Sequence, residues 1–351
     1  MTIDLAAAAD TSALPYVTAS RGEPIEAAFR DRPEDFVVDE IPAYAPCGEG
    51  DHLYVRFEKR ELNTPDAVRR IAQALGVDPR AAGWAGLKDR KAITTQWASF
   101  ERADPAKLDA PIDGVRVLES ARHGNKLRTG HLEGNRFDLL LRGAPADRAE
   151  DLRATLAELE ARGVPAYFGP QRFGRDGSNV GDAVRWLVGG GRPPRDRFKR
   201  KLLVSAFQSA MFNQLLAARI DEGTLETALL GDLLQKVGSG GLFGCEDPEV
   251  DSARARAFEI TATGPMFGPK MRWPTADVLA REQETLRAFG VEPADLRGFG
   301  KAGPGTRRPY RLRLGAPEVE AGPDGVRVRF TLPAGAYATV VVRELLRREV
   351  S

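Results

Sequence analysis

The chain has little of what builds covalent or metal frameworks. Of its 351 residues, two are cysteine and three are histidine. Cys47 and Cys245 stand far apart, which excludes a disulfide-stapled scaffold and fits a reducing compartment. Both thiols read as buried or incidental. His52, His123 and His131 are scattered along the chain, and none stands at metal-ligand spacing from a Cys, Asp or Glu, so no metal is expected. Long apolar runs are missing too. Nothing approaches the roughly 18 to 20 residues that span a bilayer, and Arg329 and Arg343 break the Val-rich stretches near the C-terminus. No membrane role is expected. The N-terminal MTIDLAAAADTSALPYVTAS has an Ala run between Asp4 and Asp10 but no basic segment, so it reads as a frayed tail of a cytoplasmic protein and not as a secretory signal.

Net charge is also nearly absent, at +1, so global electrostatics does not announce a polyanion partner. Its distribution is less even. Arg192 to Lys201 (RPPRDRFKRK) sets six cations against one Asp, and Arg297 to Arg313 (RGFGKAGPGTRRPYRLR) carries six with no acid. Arg116, Arg122, His123, Lys126 and Arg128 form a third group. Such runs are either solvated loops or a polarised surface for nucleic acid.

What is present is ample core: 42% hydrophobic residues in a chain long enough for about two domains. Segments 35–40, 52–58, 96–101, 114–118, 136–141 and 326–332 have the content of strands. A helix is signalled by Thr64 as N-cap, Pro65, then Val68, Ile71 and Leu75 on one face and Gly76 as the stop. Another spans 147–162 before Gly163. Beyond Gly163 the chain turns to Gly- and Arg-rich loops around a long helix near 200–220, with Leu203, Phe207, Met211 and Leu215 at helical spacing. Near Pro309 the strand pattern returns, and a helix closes the chain. The pattern predicts an α+β fold with a mostly antiparallel sheet, residues 1–162 and 310–351 forming one domain around an inserted domain at 163–309.

Two signatures fail. GPQRFGRD (169–176) has P-loop glycine spacing, yet Arg175 and Asp176 stand where Lys and a hydroxyl are required. GSGGLFG (238–244) does not match a dinucleotide fingerprint and reads as a turn. The most informative segment is GWAGLKDRKAITTQWASF (83–100), in which Asp89 lies among Lys88, Arg90 and Lys91. Cationic neighbours favour a carboxylate suited to act as nucleophile or base; an ordinary turn-capping Asp is the alternative.

AGLKDRKAITTQ (85–96) resembles the signature of the TruD family of pseudouridine synthases. RPEDFVVDE (32–40), LNT (62–64), LEGNRF (132–137), YFGPQRFGRDGSN (167–179), SAFQSAMFNQLLAARI (205–220), GPMFG (264–268) and FTLPAGAYATVVVREL (330–345) resemble further family segments in family order. The resemblance implies a pseudouridine-synthase-like catalytic domain, an inserted TRUD-type α/β domain, and isomerisation of uridine 13 in the D arm of tRNA. It implies Asp89 as the catalytic residue, preceded by Lys88, with Phe36, Asn135, Phe137 and Tyr337 at the nucleotide and Arg30 near the first segment. Without it, Phe36 and Phe137 read as core, Asn135 as a turn residue and Tyr337 as a core cap. The YFGPQRFG loop reads equally as a structural junction or an RNA contact.

The reaction breaks the bond from C1′ to N1 and rejoins the base through C5, so no cofactor is expected. A carboxylate can serve it by attacking C6 or C1′ or by removing the C2′ proton, and each route needs an extruded base. The expected partner is tRNA, with neither membrane nor metal, and the protein is expected to act as a monomer. The alternative function is a non-catalytic RNA-binding protein or chaperone of the same fold; Asp89 speaks against it.

Overall fold

A computed structural model describes residues 5–350. It comprises two compact units. The sheet unit holds Glu23–Ala157 and Leu314–Ala338, and the second unit holds residues up to Gly22, Glu158–Arg313 and residues from Thr339 onward. The change of character read at Gly163 and its end near Pro309 stand beside unit limits at 157/158 and 313/314, and both chain ends group with the second unit.

The sheet unit contains β1 (Phe36–Pro42), β2 (His52–Arg60), β3 (Gly83–Trp84), β4 (Ile93–Glu101), β5 (Val115–His123), β6 (Leu132–Arg142), β13 (Gly315–Gly322) and β14 (Gly325–Pro333). Their order is β13-β14-β6-β1-β4-β2-β5, with β3 beside β4. Only the β1–β4 pair is parallel, as the expected mostly antiparallel sheet requires. Alternation builds one apolar face: Leu53, Val55 and Phe57 of β2 and Ala98 and Phe100 of β4 point the same way and are buried. Helix α2 (Thr64–Leu75) covers that face with Ala67, Val68, Ile71, Ala72 and Leu75, and Gly76 ends it in the left-handed conformation at φ 72°.

The N-cap of α2 differs from the expectation. Asn63, not Thr64, caps the helix, its side-chain oxygen accepting from the Asp66 amide at 2.8 Å. Pro65 is then the second helical residue, and the Thr64 hydroxyl is free for the task described below.

In the second unit, α5 (Arg197–Asp221) forms the centre. Asp196 caps it, accepting from the Phe198 and Lys199 amides, and Leu203, Phe207, Met211 and Leu215 are buried as their spacing predicts. Against α5 lies a sheet of order β11-β10-β8-β9, made of β8 (Leu233–Lys236), β9 (Leu242–Gly244), β10 (Ile260–Met266) and β11 (Thr306–Pro309). Gly264 permits the approach: a Cβ there would stand 2.4 Å from Tyr310 and 2.9 Å from Phe212. The ribbon β7 (Val164–Pro165) and β12 (Arg311–Leu312), with helices α4 (Ser178–Leu187), α6 (Pro248–Arg256) and α7 (Ala276–Ala288), completes this layer. Helix α3 (Ala149–Arg162) precedes β7.

Two readings are corrected here. The frayed tail is ordered over its described part: α1 (Leu5–Ala9) is followed by Val17 and Thr18, whose amides donate to Glu344 of α8 (Ala338–Leu346) at 3.0 and 3.1 Å. Residues 1–4 lie outside the described residues. The acid-free run at 297–313 does not offer its strand arginines to solvent, because partners distant in sequence meet them. Arg307 forms a buried ion pair with Glu282 of α7 at 2.7 Å, Arg308 donates to the Ala166 carbonyl, and buried Arg311 donates to the Arg162 carbonyl at 2.7 Å. Both cysteines are free, Cys245 buried and Cys47 exposed, within the reading of each as a buried or incidental thiol.

Candidate active site

Sheet register brings the site together. Lys59 of β2, Thr94 of β4, Val38 of β1, Phe137 of β6 and Phe330 of β14 form one row across five strands, on the face that α2 covers farther along. One step beyond, Glu40 stands directly opposite Asn135. Gly134 allows the strands to close: a Cβ there would stand 2.2 Å from the Leu332 carbonyl oxygen.

The Asp89 segment is an irregular turn between β3 and β4, anchored by four contacts to the sheet and α2. The Lys59 ammonium donates to the Asp89 carbonyl at 2.7 Å. The Lys88 amide donates to the Thr64 hydroxyl at 3.0 Å, which in turn donates to Gln96 at 2.9 Å. The Lys88 ammonium donates to Asn135 Oδ1 at 2.7 Å and pairs with Glu40 at 2.9 Å. Glu40 also accepts from the Trp97 amide at 3.2 Å. Backbone and flanking side chains are thus fixed while the Asp89 carboxylate stays half exposed, at 51%.

The cation nearest that carboxylate is not one of its sequence neighbours. Lys88 is engaged by Glu40 and Asn135, and Arg90 donates to the Glu61 carbonyl. Arg30 faces Asp89 instead, at 3.5 Å. Arg30 has φ 65°, an uncommon conformation for a non-glycine residue. Its guanidinium lies 4.8 Å from the Phe29 ring centroid and 4.4 Å from that of Phe36, a cation–π setting that fixes its direction. Burial lowers the Arg30 pKa, against which Asp89 raises it.

Phe36 and Phe137 are buried, with ring centroids 6.3 Å apart, and Phe137 stacks on Phe330 at 5.4 Å. They form the floor that carries Arg30 and β6. Asn135 and Tyr337 are only partly buried. Tyr337 follows a turn through Gly335 at φ 82°, just after β14 passes Asn135 in register with Leu332. Every residue anticipated from the sequence therefore lies in the sheet unit.

Lys59, Glu40, Thr64 and Gln96 were not singled out for this site. Lys59 had a signal: in HLYVRFEKR it occupies the inward phase of Leu53, Val55 and Phe57, and it is 1% exposed. Burial pulls its pKa from 10.5 to about 8, with Asp89 opposing.

The three histidines, scattered in sequence, gather elsewhere in this unit. His52 pairs with His123 across β2 and β5, Tyr44 stacks on His123 at 5.2 Å, and the Tyr44 hydroxyl contacts His131 Nδ1 at 2.8 Å. Among the described residues, no group of three or more His, Cys, Asp and Glu is arranged to hold a metal, and no helix is long and apolar enough to cross a membrane. In the second unit, Tyr167, Phe168 and Phe173 of the YFGPQRFG loop are buried, and the Phe168 amide and carbonyl both bond the Asn213 side chain at 2.9 Å.

The model of the family tRNA pseudouridine synthase D (TruD) matches residues 12–185 and 196–345. A protein named tRNA pseudouridine synthase D from Anaeromyxobacter dehalogenans is 52% identical over 350 residues, covering 96% of this chain and 97% of that protein. One of the same name from Thermus thermophilus is 40% identical over 323 residues, covering 92% and 89%. A solved structure from Methanosarcina mazei, described as TruD, superposes with a TM-score of 0.75 at 23% identity, covering 95% of this chain and 96% of that one, a likeness of fold. The family model and the long, closely related sequences lead to one conclusion: this chain belongs to the TruD family of tRNA pseudouridine synthases.

Proposed function

We propose that the chain isomerises a uridine of tRNA to pseudouridine, that the target is uridine 13 of the D arm, and that the Asp89 carboxylate is the catalytic group. The sheet unit is the catalytic domain in this reading, and the inserted TRUD-type domain lies within the second unit. The observation that carries it is the Asp89 turn, whose carbonyl, flanking amide and flanking ammonium are each tied down while the carboxylate remains open beside Arg30.

In the net reaction the C1′–N1 bond breaks and a C1′–C5 bond forms, while C5 loses a proton and N1 gains one. Asp89 is the group that attacks C6 or C1′ or removes the C2′ proton. Arg30 sets the carboxylate's direction and balances its charge. Lys88 has only donors, so it holds Asn135 by its oxygen, leaving the two amide N–H donors for a uracil carbonyl. Tyr337 supplies a ring face for the extruded base.

The test is incubation of the pure protein with an unmodified tRNA transcript, without cofactor, followed by carbodiimide-dependent primer extension. A stop immediately 3′ of position 13 is expected, and Asp89→Asn should lower the rate at least about 100-fold while tRNA still binds. RNA binding without any pseudouridine would favour the non-catalytic reading.

A further inference from the structure

A basic and aromatic groove on the second unit is used by nothing described so far. Two adjoining depressions of about 520 and 430 Å³ share Lys201 and Ala302. The first is lined by Arg197, Arg200, Lys201 and Lys301 with Trp186, and the second adds Arg172 and Phe198; neither has an Asp or Glu in its lining. Two carboxylates of the adjoining elements are engaged: Asp196 caps α5, and Asp182 pairs with Arg185 and, at 4.0 Å, with Lys199. Among the described residues, Arg197, Lys201 and Lys301 form no ion pair, in contrast to the internally matched Arg307. Phe198 is 73% exposed at the mouth, an unusual position for a large aromatic side chain. Lys301 is presented by Gly300, whose φ 48°, ψ −136° suits glycine almost alone.

We infer that this groove binds an RNA segment away from the target nucleotide, its cations on successive phosphates and Phe198 against an unpaired base. The inference rests on the tRNA reading above. Closely spaced cations without a local carboxylate are the footprint of a phosphate track, and an exposed ring among them supplies a sequence-tolerant stacking face. The N-terminal amides of α5 are already capped, so the side chains must do the binding.

The test compares full-length wild type with Arg197→Ala/Lys201→Ala/Lys301→Ala and with Phe198→Ala and Phe198→Tyr. Binding of unmodified tRNA is measured at several salt concentrations, alongside single-turnover pseudouridine formation at saturating RNA. The triple variant should flatten the plot of log affinity against log salt by roughly 2 to 3 in slope. Phe198→Ala should weaken binding about 5- to 100-fold, Phe198→Tyr should restore it, and saturating turnover should be unchanged. With a short hairpin carrying only the target arm, wild type and triple variant should bind alike. Superimposable salt slopes on whole tRNA, or an equal defect on the hairpin, overturn the inference. Wild type that binds tRNA with the expected slope but makes no pseudouridine overturns the catalytic reading alone.

Discussion

Lys88 holds Asn135 by its carbonyl oxygen, 2.7 Å from the ammonium. Because lysine has no acceptor, this contact orients the amide and turns its N–H donors away from Lys88. Asn135→Asp keeps an oxygen for Lys88 but removes those donors. Its unfolding free energy should stay within about 1 kcal/mol of wild type, while kcat/KM falls about 100-fold or more from loss of base recognition. Parallel denaturation and kinetic measurements check this, and undiminished kcat/KM would remove Asn135 from base recognition.

Tyr337 is expected to act through its ring. Tyr337→Phe should stay largely active, whereas Tyr337→Ala should lose about 1 to 3 kcal/mol of stacking, roughly 5- to 150-fold in kcat/KM. Steady-state rates on one tRNA distinguish a stacking ring from an idle one.

Lys59 should report its burial through pH. Its folded pKa of about 8 lies below the 10.5 of an exposed lysine. Between those values the unfolded chain retains a proton that the folded chain has released, so the stability contributed by Lys59 rises with pH across that window and is lowest below about 8. Urea unfolding of wild type and Lys59→Met at pH 7 and 9.5 should show the difference moving in favour of wild type at the higher pH. A pH-independent difference would rule out this linkage.

The strand arginines of 306–312 should behave as structure. Arg307→Ala leaves Glu282 buried without its partner and should cost about 3 to 5 kcal/mol. Thermal unfolding should show the loss, and the salt slope of tRNA binding should match wild type in any fraction that folds.

Much of the sheet was legible because its chemistry is local. Alternation marked β2 and β14, and Pro65 and Gly76 bracketed α2. The charged Asp89 segment stood out by itself, but the roles expected of Asp89, Asn135 and Tyr337 came from resemblance, since nothing local distinguishes Asn135 or Tyr337 from a turn residue and a core cap. What sequence order concealed was pairing at long range. Arg30 reaches Asp89 across 59 positions of chain, and Glu282 takes up Arg307, so a count of charges in neighbouring positions misjudged both. The choice of Thr64 as N-cap failed for a related reason: Asn63 satisfies the helix, and the Thr64 hydroxyl is claimed by Lys88 and Gln96.

The outermost strand β13 carries a consequence for how the molecule behaves in company. A sheet edge exposes unpaired backbone groups that can recruit another chain. Here Pro317 withholds one N–H, Ala316 at φ 48° lies where the ladder slips between Gly315 and Glu318, and Glu318 and Glu320 set charged side chains along the rim, both paired with Arg329 of β14. A second copy approaching this rim meets a missing donor, a broken register and hydrated, ion-paired side chains that it would have to strip of water. Such a margin resists edge-to-edge growth into aggregates while leaving the interior pairing of β14 and β6 intact.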